Sequence, residues 1–106
     1  MEYIVGEMYF CLKYYDDFLC LPSIEPLLYL GKNLQGFHEG KIEDELYFQR
    51  LEDVHNNGCI LAGKGKRIDS FDLDCEILVM SLERLNEQLL LCIERQRKYL
   101  MFSSNR

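Results

Sequence analysis

The chain has 106 residues, of which 48% are hydrophobic and 28% charged; that is enough for one buried core, too short for two, and unlike a disordered segment. Its net charge of −6 is unevenly spread, with eleven acids against four bases from Met1 to Ile60 and seven against eight in the remainder. Such an asymmetry gives one region a field able to steer and hold a basic partner, while the net charge opposes nucleic-acid binding, which depends on displacing counterions with many basic groups.

No apolar run approaches the ~20 residues needed to cross a bilayer. The opening Met1-Glu2-Tyr3 lacks the basic and then apolar stretch of a leader, so the expectation is a cytoplasmic protein with no membrane contact. Five cysteines (Cys11, Cys20, Cys59, Cys75, Cys92) form no C-x-x-C pair, and they read as reduced core thiols, with a disulfide or metal as the minority alternative. Neither His38 nor His55 has a Cys or His at ligand spacing. No metal and no cofactor are therefore expected.

Along the chain, Glu7 to Tyr15 alternates Met8, Phe10, Leu12 and Tyr14 with Glu7, Cys11 and Lys13, which reads as a half-buried strand. Asp16-Asp17 then turns the chain, and Phe18 to Leu21 opens a return strand that Pro22 and Pro26 should keep from regular pairing. Leu27 to Leu30 is a second strand, closed by Gly31-Lys32-Asn33. The polar stretch from Asn33 to Glu45 is a surface loop.

Leu46 to Gln49 is a short aromatic strand, after which Leu51 and Val54 fit a helical turn ended by Asn57-Gly58. Gly63 to Arg67 reads as a flexible basic turn and Asp69 to Asp74 as a polar connection. Cys75 to Met80 fits a buried strand whose Glu76 needs a solvent-facing or paired position. Ser81 is a good N-cap. Behind it Leu82, Leu85, Leu89, Cys92 and Ile93 recur at helical spacing to about Tyr99, before a frayed Ser103 to Arg106 tail. Strands first and a long helix last predict one α+β domain, residues 1–106, with an antiparallel sheet packed by the C-terminal helix.

The candidate chemistry is sparse. Catalysis by paired carboxylates needs one with a raised pKa beside one that stays ionised, whereas Asp16-Asp17 and Glu43-Asp44-Glu45 sit in polar turns where acids are solvated. His55 lies three residues from Glu52 and could share a helical face with it, but a nucleophile and an oxyanion site are both missing. Gly63-Lys64-Gly65-Lys66-Arg67 lacks the terminal hydroxyl residue of a P-loop. The arrangement favours a binding protein over an enzyme.

Three stretches resemble a known group. The runs Tyr9 to Tyr15, Ile24 to Asn33, and Tyr47-Phe48-Gln49 with Asp53 and Gly58 resemble small immunity proteins that protect bacteria from contact-dependent growth inhibition toxins, particularly EndoU-like ribonuclease toxins. The resemblance covers about the first 60 residues. It implies a cytosolic, non-enzymatic protein that binds the nuclease domain of a cognate basic toxin and blocks its active site, with no nucleic acid of its own. The contact surface expected from it and from the charge comprises Asp16, Asp17, Glu39, Glu43, Asp44, Glu45, Glu52 and Asp53. The rival classes are an adaptor that dimerises through its C-terminal leucine stripe and an enzyme built on His55.

Overall fold

A computed structural model describes residues 2–99, apart from the side chains of Glu76 and Ile77. The Ser103 to Arg106 tail and the surroundings of the Glu76 carboxylate lie outside the described residues. Five strands, β1 (Met8–Tyr14), β2 (Pro22–Lys32), β3 (Leu46–Arg50), β4 (Asp69–Phe71) and β5 (Val79–Met80), form one antiparallel sheet in the order β4-β3-β2-β1-β5. Helix α1 (Leu51–Asn57) follows β3 directly, and α2 (Leu82–Tyr99) ends the described chain. The α+β arrangement expected from the element order is the observed one.

Both prolines lie inside β2, contrary to the expectation that they would interrupt it, and Phe18 to Leu21 belongs to the turn instead of the strand. Parity explains the tolerance. The Tyr15 amide donates to the Leu21 carbonyl and the Tyr29 amide to the Glu7 carbonyl, so odd-numbered positions of this strand aim their amides at β1. Pro22 and Pro26 are even, and β3 pairs with β2 only from Leu27 onward. Their missing amide hydrogens therefore face an open edge, where proline breaks no ladder. The expected separate strand at Leu27 to Leu30 is simply the continuation of β2, with a register shift between Tyr29 and Gly31.

The expected one-sided burial of β1 is also corrected, because the sheet is covered on both faces. Tyr9 and Cys11 join Leu27, Tyr29, Leu46, Phe48, Cys75 and Val79 in one cluster, sealed by Tyr3 and Phe71. Its rings meet edge-on or tilted, with centroids 4.8 Å apart for Tyr3–Tyr9 and 5.2 Å for Tyr29–Phe48, the spacing at which ring quadrupoles attract. On the opposite face Leu12, Met80 and Leu85 form a second cluster with Phe10, Tyr14 and Leu89. Met8, placed by its periodicity on the buried side, is 47% exposed.

Two segments differ from expectation, the polar connection at Asp69 to Asp74 and the buried strand at Cys75 to Met80. Asp69 to Phe71 is the edge strand β4, paired with β3 from Leu46↔Phe71 to Phe48↔Asp69; its three residues are too few to show a period of two. Cys75 to Met80 is a strand only at Val79 and Met80, because a 3-10 turn occupies Leu73–Ile77. Asp72 starts that turn by accepting the Asp74 amide at 3.1 Å, and the turn drops Cys75 onto the first core cluster.

Helix α2 begins as expected, with Ser81 Oγ accepting the Arg84 amide at 3.3 Å. Its inward face is narrower than the leucine stripe suggested. Leu85 and Cys92 are buried and Leu89 partly so, while Leu82 is 60% and Ile93 41% exposed. The inner face is completed by polar groups: Gln96 Nε2 donates to the Cys20 carbonyl at 2.8 Å, and Arg95 donates to the Leu19 carbonyl at 2.8 Å and to Tyr14 Oη at 3.0 Å. Arg95 thus fastens the helix to the β1–β2 turn in addition to complementing the helix dipole.

Candidate functional site

Asp16 and Asp17 occupy the β1–β2 turn. The Asn33-to-Glu45 loop leaves the other end of β2, which at ~3.3 Å per residue lies roughly 35 Å away across the strand's eleven residues. Glu52 and Asp53 stand on α1, entered from Arg50 opposite Leu27 in the middle of β2. The eight acids therefore divide into three groups and do not form one face.

Several of them are also committed to the fold. Asp16 Oδ1 accepts the amides of Cys20 at 3.0 Å and Leu21 at 2.8 Å, which shapes the turn. Asp44 accepts Asn33 Nδ2 at 2.7 Å and pairs with Lys32 at 3.3 Å; the Asn33 bond, then the Lys32 ammonium, hold its carboxyl below the usual range. Lys41, at 2.9 Å, does the same for Glu45. Glu39, Glu43 and Glu52 are exposed and make no ion pair among the described residues. Between Glu39 and Glu43 stands Ile42, 99% exposed. Sequence reasoning passed over Ile42, although a lone β-branched residue in an acidic loop was a visible signal.

Asp53 has the densest set of bonds. Its carboxylate accepts Gln49 Nε2 at 2.8 Å, Asn57 Nδ2 at 2.7 Å, and the backbone amides of Lys66 at 3.1 Å and Arg67 at 3.2 Å. The Asn57 bond, followed by the Lys66 amide, lowers its pKa to about 2. Gln49, wholly buried, donates as well to the Gly58 carbonyl at 2.9 Å and accepts the Ile60 amide at 2.9 Å.

The basic turn is consequently anchored and not free. The Lys64 amide donates to the Cys59 carbonyl and the Gly65 amide to the Asn57 carbonyl, and a Cβ on Gly65 would stand 2.6 Å from Gln49 Nε2. With the amides of Lys64, Gly65, Lys66 and Arg67 all engaged internally, the loop has no backbone cradle for a phosphate. That argues further against a P-loop-like reading.

His55 is exposed on α1. The described residues hold no group of three His, Cys, Asp or Glu placed to ligate a metal. Cys11, Cys20, Cys75 and Cys92 are buried free thiols and Cys59 is partly exposed; burial pushes the Cys11 and Cys20 thiols up, away from the nucleophilic thiolate. No helix among the described residues is long and apolar enough to cross a membrane.

One sheet face keeps an open end, a recess of about 350 Å³ walled by Lys13, Glu25, Arg50 and Asp69 over the buried Cys11. Arg50 pairs with Asp69 at 3.2 Å and with Glu25 at 3.7 Å, so most of its charge is balanced internally. Comparison with protein-family models, with curated proteins and with solved structures finds no match to this chain.

Proposed function

We propose that this protein is a non-catalytic immunity protein that neutralises a cognate basic nuclease toxin domain, an RNase of the contact-dependent growth inhibition type, by covering its active site from the cytoplasm. The observation that carries the reading is the β2–β3 loop, where the fully exposed Ile42 stands between Lys41 and Glu43, and Glu39 and Glu43 are exposed and in no ion pair among the described residues. An apolar anchor inside a charged rim is the arrangement that concentrates binding energy at protein interfaces. A nuclease must present cations for its substrate's phosphates, so acids around the anchor steer the encounter and pair with those cations.

The surface is correspondingly narrower than the eight acids taken together. Glu39, Ile42 and Glu43 lead it, while Asp44 is held by Asn33 and Lys32 and Asp16 and Asp53 serve the backbone. The test is co-expression of wild type and variants with the toxin domain encoded beside the gene, together with stopped-flow association at two salt concentrations. Glu39→Lys with Glu43→Lys should slow association and flatten its salt dependence, since exposed charges are screened beyond ~8–10 Å at physiological ionic strength. Ile42→Asp should raise the dissociation rate. Full protection by both variants would move the interface elsewhere, and absence of any interaction with the neighbouring toxin would refute the immunity reading.

A second reading, an adaptor acting through α2, draws on the exposure of Leu82, Leu90, Leu91 and Ile93 on that helix. It requires a concentration-dependent mass that Leu90→Asp abolishes without unfolding the chain.

A further inference from the structure

A recess of about 370 Å³ opens beside the anchored basic loop, walled on one side by Phe37 of the β2–β3 loop. Its apolar wall is formed by Phe37, Ile60 and Ile68, and its cationic rim by Lys64, Lys66 and Arg67. We propose that this recess binds a small amphipathic anion, an aliphatic chain ending in a carboxylate, with the chain on the apolar wall and the carboxylate among the three cations.

The rim is built in advance of any ligand. Asp53 draws the Lys66 and Arg67 amides inward, and Gly58 and Gly65 leave room for the loop to lie against α1 and β3, since a Cβ on Gly58 would stand 2.8 Å from the Lys64 side chain. With the backbone turned in, the Lys64 stem lies along Gly58, and Lys64, Lys66 and Arg67 are all exposed. Lys64 and Lys66 make no ion pair among the described residues, and Arg67 has only Asp69 at 3.9 Å. Three cations gathered without adequate counter-charge, in a chain of net charge −6, repel one another and gain from an incoming anion.

The wall selects the rest of the ligand. Phe37 is 43% exposed there, held beside Tyr47 with ring centroids 6.5 Å apart, and Ile60 and Ile68 are partly exposed. The volume falls within the range of small-molecule sites, ~300–1,000 Å³. Because the loop amides are all engaged, recognition of the head group falls to side chains alone. Affinity should therefore weaken with salt while the apolar share persists.

The probe is decanoate below its micelle concentration, followed by calorimetry and by amide chemical shifts of the whole chain. Shifts should concentrate at Phe37, Ile60 and the Gly63-to-Ile68 segment, and octanoate should bind about fifteenfold more weakly for the loss of two buried methylenes. Reversing Lys64, Lys66 and Arg67 to Glu should weaken decanoate at least about tenfold while the amide shifts of β1 and β2 stay those of the folded chain, because the loop's anchoring bonds are made by its backbone amides. Reversing the exposed Arg84, Arg97 and Lys98, which changes net charge equally, should leave binding unchanged, and Phe37→Ser should weaken it by removing the wall. Equal affinity for octyl glucoside, a neutral amphiphile, or shifts centred on α2 would overturn the proposal. So would a protein mass that rises with concentration and falls on reversal of the loop cations, which would give the recess to a second copy. None of these readouts depends on toxin binding, so the two proposals fail separately.

Discussion

Gln49 offers the sharpest test of how the basic loop is held. Its side chain is wholly buried and makes three bonds, to Asp53 Oδ2, to the Gly58 carbonyl and from the Ile60 amide. Gln49→Leu keeps the volume nearly constant and removes both the donor and the acceptor. The Gly58 carbonyl and Ile60 amide then stay in a half-buried environment without their partner, at ~1–3 kcal/mol for each unsatisfied group. The Asp53 carboxylate loses one bond of several, and added apolar burial recovers ~1 kcal/mol or less. The net expectation is a loss of about 1–5 kcal/mol.

Urea titration reads this as a lower midpoint at unchanged slope, since the area exposed on unfolding is nearly the same. Amide exchange should also accelerate at Ile60, Lys66 and Arg67, which share the hub, before it changes at Leu27 or Phe48 in the sheet. A loss below ~0.5 kcal/mol, the range of unremarkable surface changes, would refute the reasoning, as would exchange accelerating uniformly across the sheet.

Two further outcomes concern packing and acidity. Leu85→Ala, at a position only 5% exposed, should cost ~2–5 kcal/mol through lost transfer energy and a cavity, whereas Leu82→Ala on the exposed flank should change stability by less than ~0.5 kcal/mol; chemical denaturation of both decides whether the helix is turned as described. Asp53 is depressed to about 2 in the folded chain, below the ~3.9 of an unfolded Asp, so its stabilisation is fully present above about pH 4 and is lost as pH falls through 2; melting temperatures across that window should fall less steeply in Asp53→Asn than in wild type.

The long helix and its cap were legible because Ser81, the recurring leucines and the terminal cations all act locally. The same stripe misplaced Leu82 and Ile93, since periodicity finds a helix but does not set its rotation, which here follows from Arg95 and Gln96 reaching the β1–β2 turn. The pairing partners of β2 decided whether Pro22 and Pro26 were permissible, and pairing is a non-local property. Likewise the buried Gln49 carried no signal, as its importance lies in contacts with residues up to eleven positions away.

Charge counting shows a related limit, because carboxylates differ in what they already bind. A short Asp side chain reaches backbone amides and adjacent groups readily, and Asp16, Asp44, Asp53, Asp69 and Asp72 are each engaged in this way or in ion pairs. Their charge is largely balanced by fixed amide dipoles or by neighbouring cations before any partner arrives. Glu25 and Glu45 are likewise paired, with Arg50 and Lys41, whereas Asp17, Glu39, Glu43 and Glu52 are exposed and make no ion pair among the described residues. A sum over the first sixty residues treats both kinds alike and so overstates the usable field. Among the eight acids expected to form a contact surface, those with no hydrogen bond or ion pair among the described residues are Asp17, Glu39, Glu43 and Glu52, and the proposed surface takes the two of them that share the β2–β3 loop with Ile42.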